Sequence, residues 1–577
     1  MFTIKKISLL FLLLLIEITY SQLSFTESSV SLGVIATYGE SEYGGGVSFV
    51  DFDNDGWDDL SFASQENNQL RFFKNNGGSF IAITLNGISN SQKTKQINWV
   101  DYDNDGDKDL FVAGFIGTNK VYKNDGDMNF TEVSSSIGLF QEDLFTNTIS
   151  FGDIDNDGDL DVFFTHRDGP NENQRNYLYT NNNGFFTEIT ESSGIVLTSE
   201  LSLCATFFDY NNDGLQDLYV SNDKPTYKNR LYKNNGDLTF TDVSDSSGAG
   251  ISINAMTTTI GDYNNDGWFD IYITNTPQGN SLLKNNGNGT FSDVASLSNT
   301  SYDSMGWGAV FLDADNDGYE DLYVSGSFDG GIPEFISMAF YHNQQNDTFS
   351  LANNVGFQND SEISFSNAIG DVDNDGKAEI VVSNNTNNHS LWKNQTTNNN
   401  NWLKIKLEGV ISNKDGIGNK IEVFANGKSQ YRFTSGGEGY LSQNSSYEFF
   451  GLLDATLVEY IKVTWNKTGV VETINNVQPN QSITIKEANG ILNTQSFSKE
   501  DISVFPNPTK NGLFIVKVNN NTKITDILIF DAAGRKVLAK TESKSTISID
   551  LSSVSSGIYF VKMYSKNDFQ IVKVIKQ

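Results

Sequence analysis

The stretch DFDNDGWDDL, residues 51–60, puts five carboxylates and one glycine into ten positions. Two carboxylates about 4 Å apart repel by roughly 4 kcal/mol at an effective dielectric near 20. Such crowding holds only if water screens it, protons are shared, or a cation sits among the oxygens. The stretch is also one of seven. DYDNDGDKD follows at 101–109, DIDNDGDLD at 153–161, DYNNDGLQD at 209–217, DYNNDGWFD at 262–270, DADNDGYED at 313–321 and DVDNDGKAE at 371–379, with starts 50 to 58 residues apart. A merely solvated acidic turn has no reason to keep D-x-[DN]-x-D-G-x-x-[DE] seven times.

Positions one, three, five and nine carry side-chain oxygens throughout. They are Asp51, Asp53, Asp55 and Asp59; Asp101, Asp103, Asp105 and Asp109; Asp153, Asp155, Asp157 and Asp161; and Asp209, Asn211, Asp213 and Asp217. Then come Asp262, Asn264, Asp266 and Asp270; Asp313, Asp315, Asp317 and Asp321; and Asp371, Asp373, Asp375 and Glu379. The same alternation opens the EF-hand loop, where a glycine at position six permits the sharp turn and position seven offers a backbone carbonyl. Position seven here is Trp57, Asp107, Asp159, Leu215, Trp268, Tyr319 or Lys377, a tolerance that suits a carbonyl ligand. Position twelve is never the bidentate Glu, and the flanks read as strands. The expectation is a nine-residue hairpin version of the same cage. All-oxygen ligands on a flexible loop favour Ca²⁺ over Mg²⁺, so up to seven Ca²⁺ ions are expected. The sites at 209–217 and 262–270, where asparagine replaces a carboxylate, should be weaker. Asp58, at a position filled elsewhere by Lys108, Leu160 and Phe269, reads as a surface acid. A catalytic carboxylate pair is the rival chemistry, but seven equivalent catalytic sites make a poor enzyme.

Short β-branched and aromatic runs enter and leave most copies (VSFV, INWV, ATFF before; LFVA, LYVS, IYIT after), which marks strands. A second signature follows: KVYKNDGDMNFTEV at 120–133, RLYKNNGDLTFTDV at 230–243 and SLLKNNGNGTFSDV at 281–294. An Asn-Gly turn between such runs signals a hairpin. Each unit thus offers four strands, as in a propeller blade. The seventh unit lacks its closing strand, while an orphan copy, FTESSVSLGV, stands at 25–34. Pairing the two would remove both free sheet edges. The fold expected is all-β: a seven-bladed β-propeller followed by two small β-sandwich-like domains.

Of 577 residues, 72 are acidic and 39 basic, a net charge of −33. That excludes nucleic acid as a natural partner, because a binder needs a basic footprint. Residues 1–21, with Lys5 and Lys6 ahead of an apolar run, read as a secretory signal peptide. No later segment reads as transmembrane. Cys204 is the single cysteine, in a run (LSLCATFF) that reads as a buried strand, so no intrachain disulfide is available. Of the three histidines, His166, His342 and His389, no two share a metal-ligand spacing.

The repeats resemble the FG-GAP or VCBS type of integrin-α-like propellers, over residues 22–400. The resemblance implies calcium loops on the blades. Residues 401–487 resemble the ASPIC/UnbV domain of cartilage acidic protein-like proteins, through NKDGIG at 413–418, GYLSQ at 439–443 and Phe450-Gly451. After a linker at 488–500, residues 501–577 carry 11 basic and 6 acidic side chains, opposite in balance to the rest. FPNPT, then D-x-x-G-[RK]-x-V, then a G-[IV]-Y strand resemble the type IX secretion C-terminal sorting domain. That implies an encounter with the type IX machinery and a secreted or outer-surface location.

Two functional classes remain open at this level. One is a calcium-stabilised binding or adhesion module for an extracellular glycan or protein, with Trp99 and Trp307 as candidate sugar-stacking rings. The other is a secreted polysaccharide-active enzyme working through carboxylates alone, since no G-x-S-x-G, P-loop or H-E-x-x-H motif occurs.

Overall fold

The computed structural model describes residues 23–41, 43–167, 174–327, 335–487, 490–492, 502–518, 524–531, 535–544, 546–565 and 568–577. The signal-peptide segment lies outside them. The chain divides into two compact units, Met1–Ile491 and Leu492–Gln577.

Among the described residues, the regular structure of the first unit is strand apart from three four-residue helical turns. In the first repeat, Val47–Val50, Asp59–Phe62, Arg71–Asn75 and Phe80–Ile83 form one antiparallel sheet in chain order. Its first two strands are buried at every residue, Ser48, Asp59 and Ser61 included, while the outer two are exposed in part. Five further four-stranded sheets follow within 93–132, 146–188, 202–242, 259–293 and 306–351. The last sheet joins Ser364–Gly370, Glu379–Asn384 and Ser390–Asn394 to the N-terminal strand Phe25–Glu27, with Phe25 opposite Asn394. This last sheet in turn packs on the first: Phe49, Val47, Ala368 and Val381 share one buried cluster. The arrangement is β-propeller-like. In every repeat the nine-residue loop joins the first two strands, so all seven loops fall on one rim.

Residues 401–487 add two four-stranded sheets around a core that includes Leu403, Ile405, Ile421, Val463 and Trp465. One of these sheets ends in Gly490–Leu492, so part of the stretch read as a linker is a strand. From this region the segment 435–445 enters the centre of the ring. Ser442–Gln443 pairs in parallel with Val47–Ser48, making a fifth strand on the first sheet. Gln443 holds Trp99 by two 2.8 Å bonds, accepting from its N–H and donating to its carbonyl. Phe151 donates to the Gly436 carbonyl, Cys204 Sγ to the Gly439 carbonyl, and Gly439 to Thr258. Tyr440 packs at a tilt against Trp307, ring centres 5.0 Å apart, and Ser445 donates to the Ile369 carbonyl. All seven sheets therefore touch one inserted segment.

The second unit pairs a three-stranded sheet (Ile502–Phe505, Leu513–Val518, Thr546–Asp550) with a four-stranded one (Ile524–Asp531, Lys536–Lys544, Gly557–Ser565, Asp568–Lys576). Its core includes Phe514, Val516, Ile527, Ile529 and Val561.

Candidate metal centres

Each nine-residue loop is held by its own first carboxylate. Asp51 Oδ1 accepts from the Asp55 N–H at 3.0 Å and Oδ2 from the Gly56 N–H at 2.9 Å. Asp101, Asp153, Asp209, Asp262, Asp313 and Asp371 repeat both bonds. Position five accepts from the position-seven N–H, as Asp55 does from Trp57 at 3.0 Å. Position six has φ between +82° and +101° in all seven copies, which glycine alone adopts freely.

These bonds leave specific oxygens unspent. Oδ1 at position three is buried without a hydrogen-bond partner in Asp53, Asp103, Asp315 and Asp373. A buried unpaired carboxylate oxygen is costly, and the same atom repeats across copies. In the first three loops, positions one, three and nine bring oxygens within 4.8 Å of one another; in the sixth, positions one, three and five do. Burial first, then the charges of Asp53, Asp51 and Asp55, pushes the Asp59 carboxyl up to about 9. Asp109 behaves likewise, and burial lifts Asp101, Asp153 and Asp262 to about 7. The donor set is hard oxygen in excess of local positive charge, which fits Ca²⁺. Position-seven side chains turn to other work: Asp159 accepts from Asn104 and Asn183, and Lys377 pairs with Asp375.

Local amines meet part of the charge. Lys74 pairs with Asp53 and Asp55, Lys123 with Asp103 and Asp105, Lys233 with Asp213, and Lys393 with Asp373. The seventh loop has three amines about it, because Lys404 also pairs with Asp371 at 2.8 Å with both side chains buried.

Two asparagine series, unremarked in the sequence, tie the loops into a belt. Position four has φ of 56–58° in every copy. Its amide donates to the position-six carbonyl of the next loop in Asn104, Asn156, Asn212, Asn265 and Asn316, and Asn374 carries the series onto Gly56 at 3.1 Å, six of the seven copies, while Asn54 Oδ1 accepts from Lys406. The first asparagine of the K-N-N turn reaches beyond its own sheet. Asn75, Asn181, Asn234, Asn285, Asn343 and Asn394 each donate to the position-two carbonyl of the preceding sheet at 2.7–2.9 Å. Position nine anchors them, as Asp59 Oδ1 accepts from the Asn75 N–H at 2.7 Å.

Asp58 is not a surface acid. It is buried, accepts from Ser445 Oγ at 2.9 Å and from the Asp371 N–H at 3.0 Å, and burial pushes its carboxyl up to about 6. The whole of position eight meets residues 401–487: Lys108 pairs with Asp415 at 2.7 Å and Glu320 with Arg432 at 3.1 Å. Phe269 lies 5.6 Å from Phe433, while Leu160 shares a buried cluster with Ile417 and Ala378 with Phe449. Gly451 fits because a Cβ there would stand 2.0 Å from Asp313 Oδ2. Trp99 and Trp307 are 0% and 8% exposed, packed in the hub and unavailable to stack on a sugar. His166 and His389 are buried, the latter stacked on Phe62 at 4.2 Å, and burial holds both near 3, hence neutral.

Comparison with known families gives three matches. Residues 51–112, 101–164, 153–220, 209–273 and 262–324 match the FG-GAP-like repeat, 409–492 match ASPIC and UnbV, and 503–577 match the secretion system C-terminal sorting domain. The chain carries FG-GAP-like repeats, an ASPIC/UnbV domain and a secretion-system sorting domain. Its seventh loop, 371–379, lies beyond the matched ranges but keeps the geometry of the FG-GAP-like six. The sorting domain implies an interaction with the secretion machinery and points to secretion or the outer surface. Among the described residues no helix is long and apolar enough to cross a membrane. No curated protein sequence matches significantly. Solved structures with some likeness include PorZ, a surface component of the type IX secretion system of Porphyromonas gingivalis (11% identity, 92% of this chain and 81% of that one, TM-score 0.23). Others are Sqt1 of Saccharomyces cerevisiae (12%, 63% and 99%, TM-score 0.39) and the extracellular domain of a putative one-component system, BT4673, of B. thetaiotaomicron (9%, 97% and 58%, TM-score 0.36). None reaches a TM-score of 0.5, and nothing about function follows from them.

Proposed function

We propose that the mature chain is a secreted or surface-displayed, calcium-binding, seven-bladed β-propeller that serves as a binding or adhesion module for an extracellular glycan or protein. In this reading residues 1–21 are a removed signal peptide, 22–400 the propeller, 401–487 the ASPIC/UnbV-like domain and 501–577 the sorting tail. The observation that carries the calcium part is the buried, unpaired position-three oxygen recurring in Asp53, Asp103, Asp315 and Asp373. Up to seven ions would be held by positions one, three, five and nine with the position-seven carbonyl. The loops at 209–217 and 262–270 would bind more weakly for want of a carboxylate, and 371–379 also, because its amines already offset its charge. Support for the binding role comes from the layout. The loop rim is occupied by residues 401–487, so the opposite rim, with its non-repeating connections, is the face left for a partner. The module is read as non-catalytic.

The test is calorimetric melting of the purified full chain with and without chelator, alongside metal analysis. Each site filled at 100 times its dissociation constant adds about 2.7 kcal/mol, so several sites should give a large drop in Tm on chelation. An unchanged Tm with no co-purifying metal sinks the calcium reading. For the role, binding to an extracellular glycan panel without turnover is expected; released reducing ends would favour an enzyme instead.

A further inference from the structure

The sixth loop departs from its counterparts. Asp313, Asp315, Asn316 and Asp317 are all buried there, whereas positions three and five keep solvent contact in every other copy. The cover comes from outside the loop. Asn398 and Asn400 donate to the Asp315 carbonyl at 2.5 and 2.8 Å, Gln345 donates to Asp317 Oδ2 at 2.7 Å, and Gly451 lies against Asp313. Enclosure makes the three carboxylates more expensive to leave charged without a counter-ion.

The amine that answers this need elsewhere is missing. Lys74, Lys123, Lys233, Lys284 and Lys393 occupy one slot on the third strand of their sheets; the third sheet has Thr180 there and the sixth, whose loop is the enclosed one, has His342. His342 Nε2 lies 3.6 Å from Asp315 Oδ2 and 4.0 Å from Asp321 Oδ1, within ion-pair range when the ring is protonated but beyond hydrogen-bond reach, and the atom is buried without a hydrogen-bond partner. Asp315 Oδ1 is unpartnered too, and the Asp315 and Asp321 side chains are 6% and 1% exposed. One nitrogen and two carboxylates thus converge with unspent lone pairs, all within 4.8 Å.

We infer that the sixth loop binds a borderline divalent transition ion of the zinc class through His342 Nε2, Asp315 and Asp321. The inference rests on the nine-residue loops being cation cages and departs from that reading in the ion. Imidazole nitrogen suits Zn²⁺, Co²⁺ and Ni²⁺, whereas Ca²⁺ takes oxygen. Ligand atoms about 2.0–2.1 Å from a tetrahedral ion stand roughly 3.3 Å apart, so on binding the 3.6 Å separation closes by about 0.3 Å and the 4.0 Å one by about 0.7 Å. Nδ1 lies 3.2 Å from Gln344 Nε2, which also donates to the His342 carbonyl at 3.1 Å; binding through His342 Nε2 puts the ring proton on Nδ1, so the Gln344 amide keeps the carbonyl and gives up its contact with Nδ1.

The test uses the full chain, stripped by chelator, returned to excess CaCl₂ and titrated with Co²⁺ while its visible absorption is followed. A single equivalent of Co²⁺ should bind in the presence of calcium and be displaced by Zn²⁺. His342→Lys installs the residue found in five other copies, so it should fold and keep its calcium-dependent Tm while binding Co²⁺ at least tenfold more weakly. His342→Gln should do the same without adding charge. No cobalt band in calcium excess, or a band that survives both substitutions, overturns the inference. Either result leaves the calcium reading standing; that reading falls only if chelation fails to move Tm.

Discussion

The two rims of the ring come from the same seven repeats and differ in everything else. On the loop rim the chain spells nearly one sequence seven times, and the carboxylate that holds the turn does the same thing in all seven copies while the asparagine that grips the neighbouring sheet does so in six. On the opposite rim the connections differ in length and content, joined by isolated pairs such as Arg167 with Asp223 and Arg230 with Glu200. Repetition marks positions whose partners also repeat. A position whose partner does not repeat loses the pattern even when it is buried.

The contrast between the rims is most exposed to challenge at the hub they share. Tyr440 is fully buried, and its hydroxyl donates to the Tyr43 carbonyl at 2.9 Å. Tyr440→Ala should cost about 3–5 kcal/mol, the range for emptying a large aromatic site, as read from urea denaturation. An unshifted midpoint would show that the inserted segment does not support the ring. Next is the clamp. Asn394→Ala strips the donor from the Ala314 carbonyl and the Ala378 carbonyl and should cost about 1–3 kcal/mol. A neutral result would remove the inter-sheet role assigned to the K-N-N asparagine.

A third effect is tied to pH. Around a cavity of about 60 Å³ beneath the sixth loop stand Glu320, Glu438, Glu448, Asp313 and Arg432. Burial and neighbouring carboxylates push Glu438 up to about 7 and Glu448 up to about 8, from an ordinary 4.5. The folded chain then holds protons that the unfolded chain has released, so stability is fullest near pH 4.5 and declines as pH rises to about 8. Melting at constant saturating calcium should show that decline, flattened in Glu448→Gln; an equal slope in both proteins would exclude this cluster as the cause. The smallest effect belongs to the opposite rim. Leu197, 47% exposed, should change stability by less than about 0.5 kcal/mol when replaced by serine. A larger loss would mean that this rim is as tightly specified as the other.

The spacing of DxDxDG and the orphan FTE strand were enough to read seven four-stranded units and the N-terminal return, because both depend on local pattern. The carboxylates that gather in the loops were legible for the same reason. Position eight was not: Asp58, Lys108, Leu160, Gln216, Phe269, Glu320 and Ala378 look like surface variation, yet each matches a different patch of 401–487. The hub role of GYLSQ was hidden likewise, since Gln443 finds Trp99 from 344 residues away. Sequence periodicity reports what a residue shares with its copies and is silent on partners met only after folding.

The N-terminal return also sets an order of events. Thr26 meets Gln395 across 369 residues, and closing so long a loop costs about 5 kcal/mol of chain entropy before any contact offsets it. The hub segment arrives later still along the chain. The ring is therefore an unfinished arc for as long as its far end is unmade, and its first strand waits for its last. Hydrogen-exchange pulse labelling during refolding should find the 25–27 amides protected after those of the middle sheets; early protection there would reverse the order.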